Sequence, residues 1–412
     1  MLDAVRGGAT LQGARDGALA NLIERDRRLA YELAAGVLRR RAQLDGMLEL
    51  ATADPRLHNV LRLGAYQLRA LARVPAYAAV STSVELARSL AGEKAARYVN
   101  QALRKLQRGS RFGARDSATS HPRWLFERWR RRFGLDEAQR LIEWNDTKPP
   151  LTLQPVRWRA PELASRLREA GFGVTEAPFG EGMRVIPSPE SPVLSPARLP
   201  GFAEGAFIVQ DPAHALVCRF AAIPAGTVVY DACAAPGGKA VALERGGARV
   251  MAGDARRDRV GRLVETARRA GVAIRVAVAD LLAAPFRWEA LAAVLVDAPC
   301  SATGTMARHP DARWRLTPRT IARAAERQRA LLAAAAALVR RGGLLVYATC
   351  SLEPEENSDI VTEFLARHPQ FARTPVADAV PVALLTPAGD FQSLPQRHGM
   401  DGAYAARLAR VR

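Results

Sequence analysis

The stretch from Val228 to Lys239, Val-Val-Tyr-Asp-Ala-Cys-Ala-Ala-Pro-Gly-Gly-Lys, leaves few folds open to this chain. A short apolar run ends in Asp231, a loop of small residues follows from Ala232 to Gly238, and a helical pattern then resumes. Strand, glycine loop and helix in that order make the nucleotide-binding end of an open α/β sheet. Glycine lets the backbone approach a ligand closely, and the helix start offers free N–H groups. The loop matches neither common phosphate fingerprint. Cys233 stands where G-x-x-x-x-G-K needs its first glycine, Ala240 replaces the Ser or Thr after the lysine, and the spacing is not that of G-x-G-x-x-G.

From about residue 206 the pattern alternates strands with helices. Strands are expected to end at Asp231, Asp254, Asp280 and Asp297, and Leu344 to Ala348 runs into Thr349-Cys350. A long helix is expected from Thr320 to Arg340, ended by Gly342-Gly343. These elements predict a doubly wound, Rossmann-like parallel sheet with ligands at the strand C-termini. Asp254 follows the loop by about 20 residues, where an acid binds ribose hydroxyls, and Asp280 is placed to accept from an adenine amine. A cofactor with ribose and adenine but little phosphate fits, and S-adenosylmethionine is the candidate. The competing reading is that strand-end aspartates cap helices; four in register favour a ligand.

The four cysteines are Cys218, Cys233, Cys300 and Cys350. None forms a C-x-x-C pair, so no zinc or thioredoxin-type site is indicated and no metal is expected. Free thiols fit a reducing, cytoplasmic setting. Asp297-Ala-Pro-Cys300 and Ala348-Thr-Cys350 place two thiols and an acid at strand ends. Such a set suits methylation of cytosine carbon 5, a poor nucleophile. A thiolate adding to carbon 6 makes an enamine able to attack an electrophilic methyl group, after which the carbon-5 proton leaves and the thiol is expelled. The chemistry needs a nucleophilic Cys, an acid near the N3 edge, here Asp297, and a base, with the cytosine splayed out of its stack. The residues alone do not rank the two thiols, since Pro299-Cys300 suits a nucleophile as well. Cys218 lies in an apolar run and reads as core; Cys233 reads as packing beneath the cofactor.

Upstream, residues 1 to about 112 look all-helical, with apolar residues at helical spacing in Arg25–Arg41, Asn59–Leu71, Val80–Leu90 and Ala95–Leu106, and Pro55 and Pro75 in the breaks. A polar linker is expected at 109–120. His121 to Phe133 then forms a basic helix with interleaved aromatics, suited either to stacking on bases or to ordinary packing, and a second helix covers Asp136–Trp144. Residues 150 to about 205 read as short strands around one helix, Ala160–Ala170. A net charge of +19 points to a polyanionic partner such as nucleic acid. Only four of the 60 Lys and Arg residues are lysines, and one is Lys239. A compact ammonium group is therefore wanted at the end of the loop. The longest apolar run, Ala330–Val339, is too short to span a bilayer.

Three strings carry a resemblance: Asp231 to Lys239; Asp297-Ala-Pro-Cys-Ser-Ala-Thr-Gly304 with Arg308-His-Pro-Asp311 and Trp314; and Tyr347-Ala-Thr-Cys-Ser-Leu-Glu-Pro-Glu-Glu-Asn357. With them the chain resembles the bacterial 16S ribosomal RNA cytosine-5 methyltransferases of the Sun/Fmu type. Gly36-Val-Leu-Arg39, Leu63-Gly-Ala-Tyr-Gln-Leu68 and Val99-Asn-Gln-Ala-Leu-Arg104 resemble the NusB-like domain of the same family. The resemblance implies a NusB-like RNA-binding bundle over 1–112, linker helices and a small α/β RNA-binding module over 113–205, and an S-adenosylmethionine-dependent methyltransferase domain over 206–412. It implies Cys350 as nucleophile, Cys300 in product release and Asp297 in orienting or protonating the base. The cofactor would lie on Cys233, Ala234, Ala235, Pro236, Gly237, Gly238 and Lys239, with Asp254, Asp280 and Asp297. A cytoplasmic monomer acting on 16S RNA is expected. Transfer RNA as substrate, or a non-catalytic RNA-binding assembly factor, are the rival expectations. The chain departs from the family at Ala240, at Gln154-Pro155-Val156 and at Pro212 after Gln210-Asp211, and Met1 to Val5 reads as the inside of a first helix, which places the expected start upstream.

Overall fold

The computed structural model describes residues 1–48, 50, 54–107, 120–187, 195–374, 376 and 378–411. The chain folds as two compact units, Met1–Lys148 with Met306–Leu316, and Pro149–Thr305 with Thr317–Arg412.

The first unit is helical: α1 (Leu2–Arg6), α2 (Leu11–Ala18), α3 (Glu24–Met47), α4 (Pro55–Ala70), α5 (Ala76–Gln107), α6 (Arg123–Phe133) and α7 (Leu135–Asp146). Asp54 caps α4 by accepting the Arg56 N–H, and Pro55 takes the first helical position. The two helices expected between Val80 and Leu106 lie in α5, broken at Ala91 and Gly92, where Gly92 takes φ +77°. Leu44, Leu61, Val99 and Leu103 fill the core. Two glycines of the sequence strings sit at helix crossings. A Cβ on Gly36 would lie 2.0 Å from the Tyr66 ring, and one on Gly64 2.5 Å from Leu103. The linker expected at 109–120 lies outside the described residues except for Ser120. In α6, Trp129 is fully buried and meets the His121 ring edge-on at 5.5 Å, so it packs the unit and offers no face to a base.

The string that follows Gly304 belongs to this helical unit. Arg313 is fully buried, and its guanidinium donates to Asp146 at 2.9 Å and to the carbonyls of Asn145 at 2.9 Å and Arg39 at 3.2 Å. Burial pushes its pKa down to about 10, with Asp146 opposing the shift. Trp314 donates its indole N–H to the Leu38 carbonyl at 2.6 Å, and Arg39 donates to Ala307 at 3.0 Å.

The second unit opens with a small antiparallel sheet of order β2-β3-β1-β4, from β1 (Leu151–Pro155), β2 (Gly173–Glu176), β3 (Met183–Ile186) and β4 (Phe207–Val209), with α8 (Ala160–Glu169) packed on it. Leu153, Leu163, Leu167 and Phe207 share its core. The strand expected near 206 to start the large sheet is β4. It pairs with β1 instead, because Asp211-Pro212 immediately turns the chain into α9 (Pro212–Ala221).

The large sheet follows as β5 (Val228–Ala232), α10 (Gly238–Arg245), β6 (Arg249–Asp254), α11 (Arg257–Ala270), β7 (Arg275–Val278), β8 (Leu291–Asp297), α12 (Ala312–Arg315, in the helical unit), α13 (Pro318–Leu338), β9 (Val339–Thr349), α14 (Ser358–Arg367), β10 (Phe371–Arg373), β11 (Phe391–Ser393), α15 (Pro395–His398) and β12 (Ala403–Arg410). The order is β10-β12-β9-β8-β5-β6-β7, with β11 also on β12. Strands β9 to β7 along this path run parallel, as the alternating pattern requires. The sheet is not wholly parallel, however: β12 runs antiparallel to β9 and carries β10 and β11. Its alanines and interspersed arginines lack the β-branched run that marks a strand. The long helix also ends earlier than expected. Val339 is already extended, and Gly342-Gly343 lies inside β9, where a Cβ on Gly343 would sit 2.9 Å from the Ala292 carbonyl.

Removing one partner of a buried ion pair strands the other charge. Asp146→Ala, which leaves the Arg313 guanidinium without its carboxylate, is expected to cost about 3–5 kcal/mol. Urea unfolding of the full chain measures this, and a loss below about 1 kcal/mol would show the pair to be dispensable.

Candidate active site

Sheet order lines up the strand ends. Passing from β9 to β8, β5, β6 and β7, the C-terminal edge carries Cys350, then Asp297 and Cys300, then the loop from Cys233 to Lys239, then Asp254 and Asp280. Ligand sites of open α/β sheets lie at this edge.

The glycine loop is shaped by its backbone. Cys233 takes φ +62° and Gly237 φ +106°, where a Cβ would meet Leu263 at 2.7 Å. Ala234 N–H donates to the Gly253 carbonyl at 2.9 Å, tying the loop to β6, and the Arg259 guanidinium holds the Ala235 carbonyl at 2.8 Å. Asp254 accepts the Arg256 N–H at 3.0 Å and faces Arg259 at 3.4 Å. Asp280 is exposed and accepts the Leu282 N–H at 3.0 Å. Both therefore cap turns, and each retains a second carboxylate oxygen for a ligand.

Asp231 differs. It is fully buried, and among the described residues neither carboxylate oxygen has a hydrogen-bond partner. Burial, followed by the charge of Asp297, pushes its pKa well above the carboxylate range. The Tyr230 hydroxyl is also buried and has no hydrogen-bond partner among the described residues. Orphaned buried polar atoms are rare in folded proteins and call for a partner, so this edge suits a ligand that brings its own donors. Asp231 stands outside the residue set implied by the resemblance; its place among the strand-end acids was the one signal for it.

Lys239, at the loop's end, is buried and donates to Asp297 at 2.7 Å and to His214 Nδ1 at 3.2 Å. Burial opposes its charge, but the charge of Asp297 and its hydrogen bond leave the pKa above the usual lysine value. Acceptance at Nδ1 requires that nitrogen of His214 to be unprotonated. The cofactor loop and the expected catalytic acid are thus one ion pair, and His214 adds a group that no sequence pattern marked.

The two thiols expected to do chemistry are side by side, with Cys300 Sγ 3.2 Å from Cys350 Sγ. Strand pairing brings them there. Asp297 is in register with Ala348, Ala298 N–H donates to Ala348 at 2.8 Å, and Gly304 N–H donates to the Cys350 carbonyl at 3.0 Å. The hydrogen bond to Cys350, then burial, then the charges of Cys350 and Glu356 push the Cys300 thiol well up. Cys218 and Cys233 are both pushed up to about 12, chiefly by burial. Cys218 sits in the core behind the loop, 3.8 Å from the Lys239 carbonyl.

Comparison with known proteins agrees with this architecture. A family model described as 16S rRNA methyltransferase RsmB/F matches residues 222–409, the NusB family model matches 5–108, and an RsmF/B-like ferredoxin-like domain model matches 121–186. A probable ribosomal RNA small subunit methyltransferase B of Synechocystis is 34% identical over 94% of this chain and 92% of its own length. The chain belongs to the 16S rRNA methyltransferase RsmB/F family. A second member, ribosomal RNA small subunit methyltransferase B of Vibrio cholerae, is 35% identical over 98% of this chain and 94% of its own. Among solved structures, PH0851 superposes with a TM-score of 0.80 at 25% identity, covering 99% of this chain and 97% of that one. NSun6 from Pyrococcus horikoshii, solved with SFG, shares the fold over 71% of this chain and 98% of its own, with a TM-score of 0.60 and 20% identity.

A thiol with a pKa near 12 is ionised to only about one part in ten thousand at pH 8, and its alkylation rises about tenfold per pH unit below that pKa. Iodoacetamide at pH 8 is therefore expected to leave the peptides of Cys218 and Cys233 unlabelled in the folded protein and to label both once the chain is denatured. Peptide mass analysis reads this, and fast labelling of Cys233 would contradict the burial described.

Proposed function

We propose that this protein transfers a methyl group from S-adenosylmethionine to carbon 5 of a cytosine in small-subunit ribosomal RNA, through a covalent bond between Cys350 and the base. The observation that carries the reading is the meeting of two thiols, 3.2 Å apart, at strand ends adjoining an acid that the cofactor loop itself holds. The names of the family relatives support ribosomal RNA as the substrate. We place the enzyme in the cytoplasm as a monomer, with 206–412 as its catalytic domain and the basic upstream modules gripping phosphates.

The cofactor supplies an electrophilic methyl group. Its adenosine would lie on Cys233–Gly238 with Asp254 and Asp280, and Asp231 offers the buried acceptor. The Cys350 thiolate forms the bond to carbon 6, and the ring's electron pair moves toward N3. Asp297 and Lys239 face that edge: the carboxylate accepts from the exocyclic amine, and the ammonium balances the charge arriving on the ring. Once carbon 5 carries the methyl group, its proton is removed, the carbon 6–sulfur bond breaks and the ring double bond is restored. Cys300 gives its proton to the departing Cys350 sulfur and takes the carbon-5 proton in its place, so both sulfurs end protonated, and release of that one proton to solvent returns Cys350 to the thiolate.

Two variants test this. Incubated with unmodified 16S RNA and S-adenosylmethionine, Cys300→Ala is expected to accumulate a protein–RNA adduct on denaturing gels and Cys350→Ala to form none. Nucleoside analysis of the wild-type product should show 5-methylcytidine. An adduct with Cys350→Ala alone would exchange the two roles, and a different methylated nucleoside would refute the carbon-5 assignment.

A further inference from the structure

Beneath the two thiols lies a polar cluster that the mechanism does not use. Glu356 is fully buried. Its Oε1 accepts the Ser301 N–H at 2.8 Å and the Gln328 amide at 3.1 Å, and its Oε2 accepts the hydroxyls of both Ser301 and Ser351. Ser301 directly follows Cys300 and Ser351 directly follows Cys350. The two hydroxyls are 3.1 Å apart. Gln328, buried on α13, donates from the same nitrogen to the Pro299 carbonyl at 2.9 Å, bracing the Cys300 loop from its other side. The Tyr347 hydroxyl donates to the Glu356 carbonyl at 2.7 Å, and Asn357 donates to the Ser351 carbonyl at 2.8 Å, which fixes the segment bearing Glu356 against the end of β9.

Among the described residues, none of the hydrogen bonds to this carboxylate comes from a cation. A buried carboxylate in that state is costly unless donors satisfy it, and here four donors from the two cysteine loops and α13 do so. We propose that Glu356 is the positioning residue of the active site: one carboxylate staples the residues following Cys300 and Cys350 to each other and thereby sets the sulfur-to-sulfur distance. The inference rests on the function proposed above for its catalytic consequence and on geometry alone for the clamp. The negative charge beneath Cys300 also favours retention of its proton, which suits a thiol that donates to its neighbour.

Two substitutions separate a clamp from a mere space-filler. In Glu356→Gln, the amide oxygen can still accept from Ser301 N–H and Gln328 while the amide nitrogen donates to the two hydroxyl oxygens, so the loops stay joined. Glu356→Ala removes the staple. The first readout needs no RNA. Diamide oxidises two neighbouring thiols to a disulfide and is itself reduced to a hydrazine, and the Cys300–Cys350 bridge is followed by peptide mass. Glu356→Ala is expected to close the bridge about tenfold more slowly than wild type, as one lost buried hydrogen-bonding centre implies, and Glu356→Gln at close to the wild-type rate. Should Glu356→Ala not fold, as judged by thermal melting, Ser301→Ala with Ser351→Ala takes its place with the same expectation. The second readout is methyl transfer: kcat falls with Glu356→Ala while KM for RNA holds, and Glu356→Gln restores kcat. Bridge closure at the wild-type rate in a folded Glu356→Ala or in the double serine variant would overturn the clamp. A wild-type protein that closes the bridge yet methylates no RNA would count against the proposed function and leave the clamp supported.

Discussion

Strand β8 lies between β5 and β9, and the chemistry of this protein depends on that placement. Parallel pairing in register ends the three strands at one level, so Asp297 stands between the cofactor loop after β5 and the Cys350 turn after β9. The hydrogen bond from Ala298 to Ala348, and that from Gly304 to Cys350, carry the pairing past the strands into the loops. Without it, two thiols 50 residues apart in sequence have no reason to meet.

Charges in the interior do the finer work. Lys239, Glu356 and Arg313 are all buried, and each is satisfied differently. Lys239 pairs with a carboxylate, Glu356 takes donors without a cation, and Arg313 combines one carboxylate with several carbonyls. Burial makes each arrangement costly to break and therefore rigid. Asp231 is the exception: a buried carboxylate at the strand-end edge of the sheet, without a hydrogen-bond partner among the described residues.

Much of this was legible in the sequence because strand-end chemistry is local. An apolar run followed by Asp, a small-residue loop and a helix reads directly as a ligand-binding turn, and the parallel strands, the helical bundle and the small module follow from periodicity. The antiparallel β12 was not legible, since Ala-rich segments carry no strand signature. The string around Arg313 and Trp314 reads as part of the catalytic region, yet its buried guanidinium packs among helices; where an arginine finds its carboxylate is a long-range fact. Glu356 was hidden for the same reason. Nothing in Glu-Pro-Glu-Glu-Asn distinguishes the buried Glu356 from its partly exposed neighbour Glu355, because the partners of Glu356 include residues on the β8 loop and α13.

The proposed reaction turns on the bond between Cys350 and the cytosine. RNA carrying 5-fluorocytidine tests it most directly, because a fluorine at carbon 5 cannot leave as a proton and the adduct cannot resolve. Incubated with the wild-type protein and S-adenosylmethionine, then digested and sequenced by mass spectrometry, such RNA should remain attached to the peptide bearing Cys350. Attachment to the peptide bearing Cys300, or methylation of ordinary RNA with no adduct on the fluorinated one, would contradict the account.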